Sequence, residues 1–291
     1  MNKDKEELHS YLLEYVVREY HDYFGYDNQD HFKQVLNAWL NDENNSSYRF
    51  EKIYEYFGQE NIRTGRILDM ASGCGTFVFY GLLNGFNVYG VEPADWKNKF
   101  NHKKVEYYNY PEAWKSKFIK AVGENLPFKN EAFDYVSSYQ TIEHVQDVND
   151  CLSEMIRVAR TAVFLRAPDY SGTFEAHYHL PWLPLFPRPI AKIYLRILGK
   201  PISGLNTIQY VTKRRIKKTL RNYSVEVFDQ NRFEIIEQKV KNRMHLDKLG
   251  LWGNFLGWMG AWAWRIYASI RRLFRVEKTI NLVIVKKNYE S

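Results

Sequence analysis

An α/β protein with a parallel sheet covered on both faces is the fold class predicted here, and three observations predict it. Short apolar runs bounded by turn residues alternate with helical stretches from Arg66 onward. A glycine-rich turn follows the first run, in "RILDMASGCGTFVFYGLLNGFNVYGVEP", Arg66 to Pro93. The chain closes on a further apolar run, "TINLVIVKK".

Taken in order, residues 4–58 read as helical, with Leu8, Tyr11, Leu12, Tyr15 and Val16 at helical spacing. Residues 66–70 are a buried strand, Thr76 to Leu83 a helix and 86–91 a second strand. Strands are predicted at 118–122, 133–139 and 162–168, with a helix over Val148 to Val158 before the last of them. Residues 170–221 break the alternation and are rich in Pro, aromatics, Arg and Lys. A strand resumes at 224–229, an aromatic helical stretch covers about 245–275, and 279–287 is the final strand. The chain divides into a helical cap (1–60), a core (61–169), loops and a helical insertion holding one core strand (170–278), and a last strand with its tail (279–291).

Composition narrows the function classes. Two cysteines, Cys74 and Cys151, cannot build a disulfide framework, so a reducing, cytoplasmic location is expected. No run of 18 apolar residues predicts a membrane-spanning helix, and the charged start "MNKDKEELHS" does not read as a secretory signal. The net charge of +7 points to an anionic partner.

Gly73 and Gly75 follow the first strand where a backbone must bend sharply and approach a ligand. The next helix points free N–H groups into the crevice at the strand ends. Glu92 closes the second strand, where a carboxylate can take both hydroxyls of a ribose. Thr76, Phe77 and Val78 supply no third glycine for a pyrophosphate, and Asp69 suits a cationic or amino-bearing ligand. The unit is predicted to bind a nucleoside.

The pieces "LDMASGCG", "VEP", "ENLPF", "FDYVSSY" and "IEHV", in this order across residues 64–168, resemble the class I S-adenosylmethionine-dependent methyltransferases, in particular the group that includes ubiquinone-biosynthesis methylases. The resemblance implies a Rossmann-like seven-stranded mixed sheet with an antiparallel last strand, and S-adenosylmethionine as cofactor. Carried over by position, Asp69, Ala71, Gly73 and Gly75 would line the methionine end and Glu92 would hold the ribose. Val122, Gly123 and Glu124 would lie along the adenine edge, and Ser138, Tyr139 and Gln140 would close the site. Val122 stands where the family usually has Asp, and Ala71 where it often has Gly.

A hydroxyl acceptor needs a base or an orienting group. His144, beside Glu143, is one candidate; a structural role at a helix start is its alternative. His177 and His179 are the others, in "RAPDYSGTFEAHYHLPWLPLFPRP", Arg166 to Pro189, beyond the fifth strand. Their alternative is a solvated loop. In ubiquinone-type relatives the stretch before "HV" carries two carboxylates and supports a divalent metal. Here Gln140 puts an amide, a weaker hard-metal ligand, in the first position, so no metal is predicted.

Arg188 to Arg221 holds ten cations and no acid, which suggests phosphate or an anionic membrane surface. "LWGNFLGWMGAWAWRIYASIRRLFRVEK", Leu251 to Lys278, carries Trp252, Trp258, Trp262 and Trp264. Membrane contact and core or oligomer packing both fit that aromatic stretch. Its Leu, Ile and Met argue against base stacking on nucleic acid. The oligomeric state is left open.

The leading expectation is O-methylation of a glycan, sugar phosphate or lipid-linked acceptor, since 167–189 is similar to bacterial methyltransferases of surface-glycan assembly. A quinone-like or other small acceptor is one rival. A non-catalytic membrane- or partner-binding module is another.

Overall fold

The computed structural model describes residues 3–43, 46–229 and 278–287. The tryptophan-rich stretch from residue 251 to 277, and with it the expected aromatic helix, lies outside the described residues.

The helical spacing of the N-terminal segment yields four helices: α1 (Lys3–Phe24), α2 (Gln29–Leu40), α3 (Ser46–Phe57) and α4 (Gln59–Thr64). Gly25, in the left-handed region, ends α1, and the Asn28 side chain caps α2 by accepting from the Asp30 and His31 N–H groups. The core then runs β1 (Arg66–Met70), α5 (Thr76–Leu83), β2 (Asn87–Val91), α6 (Asp95–Tyr107), β3 (Phe118–Ile119), β4 (Phe133–Tyr139), α7 (Val148–Val158) and β5 (Ala159–Pro168). Helix α6 arises where the sequence reading assigns no element. Only Phe100, Asn101, Lys104 and Val105 of its residues turn fully inward, and two of those four are polar, so it carries no apolar stripe. β3 is shorter than predicted, because the chain leaves the sheet after Ile119 and turns at the Val122–Asn125 bridge.

Beyond β5, residues 170–221 form a small hairpin of β6 (Phe174–Glu175) and β7 (Leu180–Pro181), then α8 (Arg188–Ile197), α9 (Ser203–Asn206) and α10 (Lys213–Leu220). β8 (Val225–Asp229) and β9 (Thr279–Lys286) complete the sheet.

The seven strands lie in the order β3-β2-β1-β4-β5-β9-β8. The first five are parallel, and β9 runs antiparallel to both β5 and β8. This is the Rossmann-like mixed sheet that was expected. Side chains alternate across it. Leu68 and Met70 of β1 join the core beneath α7, with Leu152 and Met155. Ile67 joins the opposite core, where Phe50 of α3 stacks on Phe77 of α5 at 4.5 Å between ring centroids. Asp69 shares the Ile67 face, so it points toward α3 and α5. That alternation puts a carboxylate under the cap.

The cap also packs on the glycine turn itself. Leu8, Leu12, Val16, Phe32 and Leu36 from α1 and α2 surround Cys74 and Phe100. Beside them Lys104 of α6, fully buried, pairs with Asp42, and its ammonium lies 4.7 Å from the Phe79 ring centroid. Burial pushes Asp42 up and Lys104 down, against the pull of each partner. A buried pair of this kind costs most when one member is removed. Asp42→Ala alone is therefore expected to destabilise the fold by about 3–5 kcal/mol. Asp42→Ala combined with Lys104→Met is expected to recover most of that loss in urea unfolding.

Candidate active site

The turn after β1 is built by backbone geometry. Gly73 and Gly75 both have positive φ, +56° and +73°. At Gly75 space is also short: an added Cβ would meet Phe118, Asn101 and Phe79 at 2.8–2.9 Å. At Gly73 such an atom would meet nothing within 4 Å, so this side of the turn is open. Ala71 and Gln140, at the ends of β1 and β4, are non-glycine residues in the same left-handed region. Such backbone persists only where the surroundings over-determine it, and it concentrates at functional sites.

Glu92 ties the turn to the second strand. It is 4% exposed; Oε2 accepts from the Gly73 N–H and Oε1 from the Ala94 N–H, both at 3.0 Å. Asn101 of α6 donates to the Gly73 carbonyl at 3.0 Å, and Asn98 to the Glu92 carbonyl at 2.8 Å. The acid expected to grip a ribose thus stands beside the open face of the turn, held by backbone donors.

Asp69 meets a residue that the sequence reading does not name. Arg49 of α3 donates from Nη2 to the Asp69 carboxylate and, at 2.7 Å, to Ser137 Oγ. The guanidinium lies between the Phe77 and Tyr139 rings, 3.8 and 4.3 Å from their centroids. Its Nε is buried without a partner, as is the Ser138 hydroxyl. Burial pushes the Asp69 carboxyl above its usual range, and Arg49 opposes that shift. No local pattern in α3 marks Arg49, because only the packing of Phe50 and Ile53 aims it inward.

Of the residues expected along the adenine edge, Val122 is exposed, and Gly123 lies against Met70 and Cys151. Glu124 turns to the loop after β4 and accepts from the Gln146 N–H at 2.5 Å and the Asp147 N–H at 3.3 Å. Tyr139 is half-buried beside Arg49 and Arg166, and the Gln140 N–H donates to the Arg166 carbonyl at 2.8 Å.

The loop after β4 and the hairpin after β5 converge. Glu143 is fully buried, and neither of its oxygens has a hydrogen-bond partner; burial pushes its carboxyl up to about 7. The rings of His144 and His177 meet edge to face at 5.0 Å. His144 Nδ1 lies 3.0 Å from the Thr207 carbonyl, and His177 Nδ1 lies 2.7 Å from Glu175 Oε1. Glu175 is fully buried and also accepts from Tyr170 Oη and the Tyr178 N–H. Burial opposes protonation of His177, but Glu175 overcomes it and holds the imidazole above its usual pKa. His179 stands apart from this group, its ring edge-on to Tyr26 and Phe174. Two of the three predicted histidines are thus brought together. Glu175, two residues before His177, is the buried acid that anchors one of them.

Residues 68–165, about a third of the chain, match a family model described as a methyltransferase domain. No curated protein matches. Among solved structures, the chain is similar to the YcgJ protein of Bacillus subtilis at 13% identity, covering 77% of this chain and 93% of that one, with a TM-score of 0.46. It is similar to a Thermotoga maritima protein described as an S-adenosylmethionine-dependent methyltransferase and possible histamine N-methyltransferase at 16%, covering 77% and 83%, with a TM-score of 0.39. The [4+2]-cyclase SpnF aligns at 14% over 97% and 94%, with a TM-score of 0.48. The strand order, the glycine turn and the matched domain define a class I methyltransferase fold.

Arg49→Met removes the only hydrogen-bonded cation that Asp69 has among the described residues. The expected loss is about 3–5 kcal/mol near neutral pH, measured by urea unfolding. Without the guanidinium the folded carboxyl rises further above its unfolded value. The penalty therefore grows as pH rises through that window, and the variant loses less at pH 5 than at pH 8.

Proposed function

We propose that this chain is an S-adenosylmethionine-dependent methyltransferase acting on an oxygen of a glycan, sugar phosphate or lipid-linked acceptor. The observation that carries the reading is the Glu92 carboxylate beside the open face of the Gly73 turn, within a matched methyltransferase domain. A ribose placed there would meet an acid, and the turn leaves room for the rest of a nucleoside. Asp69, Ala71 and Gly75 shape the methionine end in this reading, with Ser138, Tyr139 and Gln140 opposite. Val122, Gly123 and Glu124 border the adenine.

Methyl transfer from a sulfonium is an in-line displacement. The acceptor oxygen bonds to the methyl carbon as the carbon–sulfur bond breaks, and sulfur leaves neutral with the electron pair. The protein's task is alignment and exclusion of water. Glu143, His144 and His177 supply the polar group on the acceptor side, beyond the end of β4. His179 belongs to the wall that Tyr26 and Phe174 form.

The acceptor class is supported by the surface of the insertion. α8 buries Ala191 and Leu195 and turns Ile190, Ile193 and Ile197 outward, the last 77% exposed, with Leu185 and Leu198 beside them. Lys192 and Arg196 lie on the same helix, and no acid lies between residues 176 and 225. An apolar stripe on a helix with cations and no acid is complementary to an anionic bilayer, into whose interface such a helix can settle. Among the described residues no helix is long and apolar enough to cross a membrane. In this reading the contact is peripheral, on the cytoplasmic face.

Calorimetry is expected to show S-adenosylmethionine binding that Glu92→Ala weakens at least tenfold, and tritiated methyl is expected in a lipid-linked saccharide fraction. No binding at millimolar cofactor would leave the non-catalytic module as the reading. On vesicles containing phosphatidylglycerol the chain is expected to float at low salt and to be released as salt rises. Ile193→Glu with Ile197→Glu should abolish flotation, and flotation unchanged by that pair would remove α8 from the surface.

A further inference from the structure

We propose that Glu143, His144 and His177 bind one divalent transition-metal ion. One ligand atom from each lies within 4.8 Å of the others. Metal bonds to nitrogen and oxygen are about 2.0–2.2 Å, so side-chain adjustments of about an ångström bring the three onto one ion.

The protonation pattern is set by what surrounds each ring. A backbone carbonyl only accepts, so His144 Nδ1, facing the Thr207 oxygen, carries its proton and leaves Nε2 with a lone pair. His177 Nδ1 faces Glu175 Oε1 and is fixed in the same way. A carboxylate behind the far nitrogen of an imidazole is the arrangement that orients metal-binding histidines and raises their basicity. Glu175 is itself held by Tyr170 Oη at 3.3 Å and the Tyr178 N–H at 2.6 Å, so the ring it carries cannot swing freely.

Glu143 supplies the second, independent observation. A fully buried carboxylate with no partner on either oxygen is costly, and a cation offsets that cost. The main chain around it is clamped: the Gln209 N–H donates to the Glu143 carbonyl at 2.6 Å, and the Gln209 side chain donates to the Val145 and Gln146 carbonyls. His144 is exposed and gives an ion a way in from solvent.

Two imidazoles and one carboxylate select zinc, manganese or iron over magnesium or calcium, and three protein ligands leave positions open for an oxygen. The expectation of no metal rested on Gln140. The third donor comes instead from the hairpin after β5, about thirty residues beyond His144 in the sequence.

The test is equilibrium dialysis of the full chain against micromolar Zn²⁺ with elemental analysis, repeated with Co²⁺ for its visible ligand-field bands. One ion per chain is expected. His144→Ala and His177→Ala should each weaken it at least tenfold and remove the Co²⁺ bands. Glu175→Gln, a positioning change, should weaken it by about 10–100-fold. His21→Ala, at a separate exposed histidine beside Asp22 and Asp27, should leave it unchanged. No retained metal would overturn the proposal, as would retention that is lost in the His21→Ala variant or that stays at the level of the unsubstituted chain in the His144→Ala and His177→Ala variants. Because His144 is exposed, its alanine variant decides the matter even where a Glu143 variant fails to fold. Metal binding needs no methyl donor, so calorimetry with S-adenosylmethionine on the same samples separates failure of this site from failure of the proposed function.

Discussion

The Glu92 carboxylate, accepting from Gly73 on one oxygen and from Ala94 on the other, is the interaction on which the rest of the site depends. It joins the turn after β1 to the end of β2, so the two strand ends present one surface. A turn with two left-handed glycines has little stiffness of its own. Glu92 from above and Asn101 from α6 hold it in one shape. In the proposed function the same carboxylate would face a ribose, so the group that braces the turn would also read what lies on it.

The cap is bound into this arrangement. α1 and α2 cover Cys74 at the bend, and α3 inserts Arg49 between two aromatic rings and onto Asp69. An arginine in that position neutralises a carboxylate that burial alone would drive toward its protonated form. It links the cap to β1, and to β4 through Ser137. Removing the cap would expose the apolar underside of the turn and leave Asp69 unpaired.

Residues 170–209 hold the histidine cluster in place. Tyr26, just past α1, donates to the His177 carbonyl at 2.9 Å, and Phe24 stacks on the His177 ring. The Thr207–Gln209 segment grips the loop that carries Glu143 and His144. Three segments far apart in sequence therefore converge on one buried carboxylate. The outward apolar face of α8 belongs to the same unit as the segment that holds His177.

Legibility followed from the range of the physics involved. The alternation of β1, α5, β2, β4, α7 and β5 was readable because burial on both faces of a sheet writes itself as local apolar runs. The turn at Gly73 and Gly75 was readable because positive φ demands glycine, and Glu92 because its place at the end of β2 follows from the strand. Helix α6 was missed because its buried residues include Asn101 and Lys104, whose burial makes sense only beside the Gly73 carbonyl and Asp42. Arg49 reads in sequence as one more surface cation, and Glu143 as a helix-start acid. The amino-acid order by itself determined the sheet, the bend and the acid beside it, because each depends on neighbours within a few residues. Only the tertiary structure decided that Arg49 meets Asp69, and that Glu143, His144 and His177 share one site while His179 does not. Those pairings depend on distances closed by packing between segments that no local pattern connects.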